Sequence, residues 1–66
     1  MSNKLTPLQQ SVIERMYEAD MPFIAGATQR AWEKGETYYI DSRVKCPRGL
    51  RKDFNEANKE AKNNAQ

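Results

Sequence analysis

Apolar side chains recur early in the chain as Leu8, Val12, Ile13, Met16 and Tyr17, with Gln10, Glu14, Arg15 and Glu18 on the opposite positions. Spacings of three, four and one make a single stripe, the pattern of an amphipathic helix with one buried face. Thr6-Pro7-Leu8-Gln9 stands at its start. Threonine accepts from the first free amides, proline suits the first turn, and glutamine three residues on closes a capping box. A helix over 7–19 is predicted.

Asp20-Met21-Pro22 ends it, because the residue before a proline is pushed out of the α region, and Asp20 or Met21 then stands ready to cap a second helix over 22–34. There Phe23, Ala27 and Ala31 repeat at four, as do Ile24, Thr28 and Trp32. Gly26 costs about 1 kcal/mol inside a helix. The small run Ala25-Gly26-Ala27 accounts for it if helix one approaches closely there; otherwise the helix begins only near Thr28. Gly35 after Lys34 is the C-terminal stop.

Thr37-Tyr38-Tyr39-Ile40 is β-branched and aromatic and reads as a short extended segment. One short strand does not stand alone, so it must pack across the helices, pair with a second strand or pair with another copy. Beyond Pro47 and Gly49, the residues Leu50, Phe54, Ala57 and Ala61 set a thin stripe on a very polar third helix. The pairs Lys52 with Glu56 and Glu56 with Lys59 support it, and it frays beyond residue 62. The fold class is mainly α: one small domain over 1–62, built from a two-helix antiparallel hairpin, the extended segment and a C-terminal polar helix, with 63–66 as a polar tail.

Length changes this picture first. A core of 66 residues leaves only about 3–5 kcal/mol of net stability. A thin core and a lone extended segment both invite a partner or a homodimer. Hydrophobic residues make up 38% and charged residues 30%, an ordinary globular balance, and the mean hydropathy of -0.98 reflects the polar last third. A single cysteine makes no internal disulfide, MSNKLTPLQQ lacks the apolar run of a signal peptide, and no stretch has the length of a membrane span. A cytoplasmic protein away from membranes is expected.

The net charge is only +2. Residues 1–35 hold four basic and four acidic side chains, whereas 43–52 hold Arg43, Lys45, Arg48, Arg51 and Lys52 and no acid. The charge is therefore a patch of five cations flanked by Asp41 and Asp53.

Catalytic chemistry is poorly supplied. There is no histidine, which removes most general-base, zinc and serine-triad schemes, so no catalytic or metal-binding residue and no cofactor is assigned. Glu14 and Glu18 share a helix face opposite the apolar stripe and read as solvated charges. Cys46 sits among cations that favour a reactive thiolate, but it lacks the usual base, and a structural role is expected. Trp32 and one of Tyr38 and Tyr39 are expected in the core. The other tyrosine stands exposed beside the basic run, where bases stack on aromatic rings.

Two resemblances meet at that run. Lys45-Cys46-Pro47-Arg48-Gly49-Leu50-Arg51-Lys52 resembles the turn and second helix of small phage helix-turn-helix proteins, which implies a basic, DNA-binding recognition helix. It departs from them in placing Asp41 or Ser42 where the first helix has a small alanine, and Thr37–Ile40 is a poor helix. The spacing of Ala31, Gly35, Tyr38, Cys46 and Gly49 is similar to the opening of a phage HNH-type nuclease module. That module needs a histidine where Leu50 stands and a later pair of cysteines, so nuclease activity is not implied.

The function expected is non-enzymatic binding: a nucleic-acid-associated regulator contacting the backbone through Arg43, Lys45, Arg48, Arg51 and Lys52, with Tyr39 alongside. The alternative is an inhibitor or adaptor that binds one protein through the stripes Leu8, Val12, Met16 and Phe23, Ala27, Ala31, or a small subunit of a larger assembly.

Overall fold

The computed structural model describes residues 4–64, which form three helices: α1 (Pro7–Glu18), α2 (Pro22–Glu33) and α3 (Leu50–Asn64). No strand occurs among the described residues, and no helix is long and apolar enough to cross a membrane.

The start of α1 is the predicted capping box. Gln9 N–H donates to Thr6 Oγ1 at 3.1 Å, and Thr6 N–H donates to Gln9 Oε1 at 2.9 Å. The box also docks onto α3: Thr6 Oγ1 donates to Glu60 Oε1, and Gln9 Nε2 donates to Ala57 O at 3.0 Å from a side chain only 1% exposed. At the other end of α1, Arg15 pairs with Asp53 at 2.7 Å. Rising numbers on α1 meet falling numbers on α3, so the two helices run antiparallel. Both partners of the Arg15–Asp53 pair keep more than a third of their surface in water, which limits the pair to about 1 kcal/mol or less.

Asp20 does not cap α2. It adopts a left-handed φ of 62°, Asp20 N–H donates to Tyr17 O at 3.1 Å, and Met21 N–H donates to Met16 O at 2.9 Å. Those two bonds close α1 as a Schellman turn, with aspartate in the place glycine favours. Met21 is the N-cap of α2 and makes no side-chain cap bond. The end of α2 repeats the device with the residue it prefers: Gly35 has φ 79°, Gly35 N–H donates to Trp32 O, and Glu36 N–H donates to Ala31 O at 2.8 Å.

Helix α2 is the long version, beginning at Pro22, and it folds back against α1. Close approach does not explain Gly26, because a Cβ built there meets nothing within 4 Å. The buried positions are Ala25, Thr28 and Trp32, while Phe23 is 86% exposed. Trp32, 1% exposed, packs on Phe54 with ring centroids 5.4 Å apart, a contact worth about 1 kcal/mol beyond its burial. One core joins Val12, Ile13, Met16, Ala25, Trp32, Ile40, Leu50, Phe54 and Ala57. Val12 and Met16 are thus wholly interior and Leu8 packs against them, so the Leu8, Val12, Met16 stripe is core and not a free interface.

Helix α3 continues to Asn64, past the expected limit at 62; residues 1–3 and 65–66 of the predicted domain and tail lie outside the described residues. Of its two predicted charge pairs, Lys59 with Glu56 forms at 3.6 Å, and no ion pair joins Lys52 to Glu56.

Candidate functional site

Between α2 and α3 the chain has no ladder of its own, yet it is held at two places by side chains of α3. Asn58 binds the backbone of Tyr38 on both sides. Its Oδ1 accepts from Tyr38 N–H at 3.0 Å, and its Nδ2 donates to Tyr38 O at 2.7 Å. The same Oδ1 accepts from the Trp32 indole at 2.7 Å. One carboxamide therefore does for Tyr38 what a neighbouring strand does in a sheet, and it satisfies a buried tryptophan as well. The extended segment thus packs across the helices, with no strand partner among the described residues. Alternation follows from that grip: Ile40 is buried, Tyr38 packs on the core, and Tyr39 stands 79% exposed.

Arg51 is the second hold. Its Nη2 donates to Val44 O at 2.9 Å and its Nη1 to Ile40 O at 3.3 Å, with Asp41 O and the Cys46 sulfur both at 3.5 Å from Nη2. A planar, multi-donor guanidinium suits several converging carbonyls. Arg51 therefore shapes the loop from inside, unlike its cationic neighbours. Cys46 is a half-buried free cysteine in that loop.

Local turns fix the rest. Asp41 Oδ1 accepts from Arg43 N–H at 2.8 Å, an Asx turn, and Val44 N–H donates to Asp41 O at 3.0 Å. Leu50 N–H donates to Pro47 O at 3.1 Å across a turn whose third residue, Gly49, has φ 84°, a position that requires glycine. The second residue of that turn is Arg48, which projects into solvent.

Of the sequence-predicted cations, Arg43, Lys45, Arg48 and Lys52 are exposed. Arg43 lies 3.5 Å from the Asp41 carboxylate, while Lys45, Arg48 and Lys52 have no ion-pair partner among the described residues. The helix-turn-helix resemblance does not carry into the fold, because no helix precedes the turn at 45–49: residues 36–41 are irregular. Glu14 and Glu18 are exposed, as solvated charges should be.

A cleft of about 170 Å³ opens between residues 38–40 and α3, lined by Tyr38, Tyr39, Ile40, Arg51, Phe54, Asn55 and Asn58. Nothing local in the sequence marks Asn58 and Asn55 as site residues. Both are polar residues on a polar helix, and the only available signal was that Asn58 lies four residues after Phe54, beside the apolar stripe.

Comparison with known proteins finds no matching family model, no matching curated protein and no matching solved structure.

Proposed function

We propose that this chain is a small, non-enzymatic nucleic-acid-binding protein of regulatory character. Its working surface is the connection between α2 and α3 with the first turn of α3. The observation that carries the reading is the exposure of Arg43, Lys45, Arg48, Lys52 and Tyr39 along one connection that Arg51 and Asn58 tie down. A fixed cationic surface loses little conformational freedom on binding and neutralises several phosphates. Arg43 is partly neutralised by Asp41, which leaves Lys45, Arg48 and Lys52 as the principal backbone contacts.

The test is a titration of labelled mixed-sequence DNA and RNA at about 50 and 200 mM salt, where phosphate contacts lose most of their affinity. Binding that weakens steeply with salt is expected, and replacing Lys45, Arg48 and Lys52 together by glutamine is expected to abolish it. Binding that ignores those three substitutions contradicts the reading.

A second reading has its own observation. The Phe23 ring is 86% exposed on the outer face of α2, beside the half-buried Ile24, Ala27 and Ala31. An exposed aromatic on a smooth helix face suits a protein partner. That reading predicts the opposite pattern, with partner binding sensitive to Phe23→Ala and indifferent to the basic loop.

A further inference from the structure

A helix that docks end-on into a duplex groove needs the side chains of its first turns free to reach base edges. In α3 those side chains are occupied. Leu50 is fully buried, Arg51 is bound to the carbonyls of Ile40 and Val44, Asp53 is paired with Arg15, and Phe54 is 2% exposed. Lys52 is the one free side chain of that first turn, and the next exposes Asn55 beside the acidic Glu56, so α3 presents a poor reading face to a duplex groove.

The cleft offers a different mode. Its volume of about 170 Å³ lies below the roughly 300–1,000 Å³ of pockets for drug-sized ligands and suits one planar ring. Phe54 and Ile40 supply apolar lining, and the exposed Tyr39 lines the cleft as well. Asn55 is exposed on the rim and offers an amide donor and a carbonyl acceptor, whereas Asn58 is already spent on Tyr38 and Trp32. Lys52 lies one helical turn from Asn55, and Arg51 joins the cleft wall to the loop that carries Lys45. Stacking surface, polar edge and cations thus stand together.

Resting on the nucleic-acid reading, we propose that the cleft between Tyr38–Ile40 and α3 takes one unpaired base of a single strand. The base stacks on Tyr39, its edge meets Asn55, and its flanking phosphates meet Lys45, Arg48 and Lys52. Bases locked in a duplex cannot turn out into such a cleft without first unpairing, which is why aromatic platforms beside cationic grooves select single strands.

The experiment is an anisotropy titration of the full chain at about 50 mM salt against labelled 12-mers of oligo-dT, oligo-dA, oligo-U and oligo-A and a 12-base-pair duplex. Wild type, Tyr39→Ala, Tyr39→Trp and Asn55→Ala are compared with the Lys45, Arg48, Lys52 triple glutamine variant. The DNA and RNA arms separate the two sources of single strand. Tyr39 and Asn55 are exposed, so these variants keep the fold, which circular dichroism verifies.

Single strands are expected to bind at least tenfold tighter than duplex. Tyr39→Ala is expected to weaken them about tenfold, in line with stacking losses on aromatic platforms, while Tyr39→Trp retains binding and Asn55→Ala weakens it less. Single-strand affinity unchanged by Tyr39→Ala, or duplex bound as tightly as single strand, overturns the cleft inference. If the triple variant still loses binding in that case, the basic-loop reading survives it. If no oligonucleotide binds wild type, both fall together.

Discussion

The α1–α3 seam and the 36–49 connection are both held by side chains, and they differ in what those side chains must supply. Along the seam, two helices that have closed their own backbone bonds meet face to face, and Gln9, Thr6 and Arg15 add register to a contact made by Val12, Met16, Leu50 and Ala57. The connection has no backbone ladder. Its amide and carbonyl at Tyr38 go to Asn58, and its carbonyls at Ile40 and Val44 go to Arg51. Losing Thr6 or Arg15 from the seam leaves the packed stripe in place, whereas losing Asn58 leaves both Tyr38 backbone groups and the Trp32 indole unpaired. A loop kept in shape this way is a surface rather than a tether, and that property is what its cations and Tyr39 need in order to act together.

The comparison can be broken most directly at Asn58. Asn58→Ala strands the Trp32 indole and both Tyr38 backbone groups, and a loss of about 3 kcal/mol is expected. That is most of the stability of a chain this small, so urea unfolding should begin near zero denaturant. Asn58→Asp keeps the acceptor but sets a carboxylate oxygen against the Tyr38 carbonyl where the amide donated, so it should not rescue the loss.

Arg51→Gln comes next. A half-buried guanidinium bound to carbonyls is worth about 1–2 kcal/mol once solvent screening is allowed for. The loss should appear as faster amide exchange in 41–46 with α1 and α2 unchanged. Arg51→Lys should not rescue it, since an ammonium lacks the planar fork that spans Ile40 and Val44.

Two changes sharpen the contrast from the helical side, where stability is limited by the backbone alone. Gly26→Ala fills open space in the middle of α2 and should raise stability by about 1 kcal/mol, seen as a melting temperature higher by about 4–8 °C. Asp20→Gly relieves the left-handed aspartate that closes α1 and should add about 0.5 kcal/mol by the same measurement. Neither change should alter nucleic-acid binding.

The same contrast explains what was legible in the sequence. The start of α1 is written locally, in Thr6, Pro7 and Gln9, and the end of α2 in Gly35, so both are readable without knowing what they pack against. The buried face of α2 is less so. Phe23, Ala27, Ala31 and Ile24, Thr28, Trp32 are offset repeats of equal period, and only the position of α1 and α3 decides that Thr28 goes in and Phe23 stays out. The basic run is visible as charge, but composition cannot separate Arg51 from Arg48. Their difference depends on where the carbonyls of 40–44 end up, which is a long-range fact. Asn58 is hidden for the same reason: a polar residue on a polar helix announces nothing until Trp32 and Tyr38 are brought to it.

The cations and Tyr39 form one surface only if the connection is held, and amide exchange at Tyr38 followed by NMR tests that most directly. Its N–H bonds to a side chain in the middle of α3, so release requires opening that helix face. The predicted result is a Tyr38 amide protected to the same order as amides within α3, with that protection lost in Asn58→Ala. A Tyr38 amide exchanging as fast as solvent-exposed loop amides in the wild-type protein, while α1–α3 stay protected, would contradict the account.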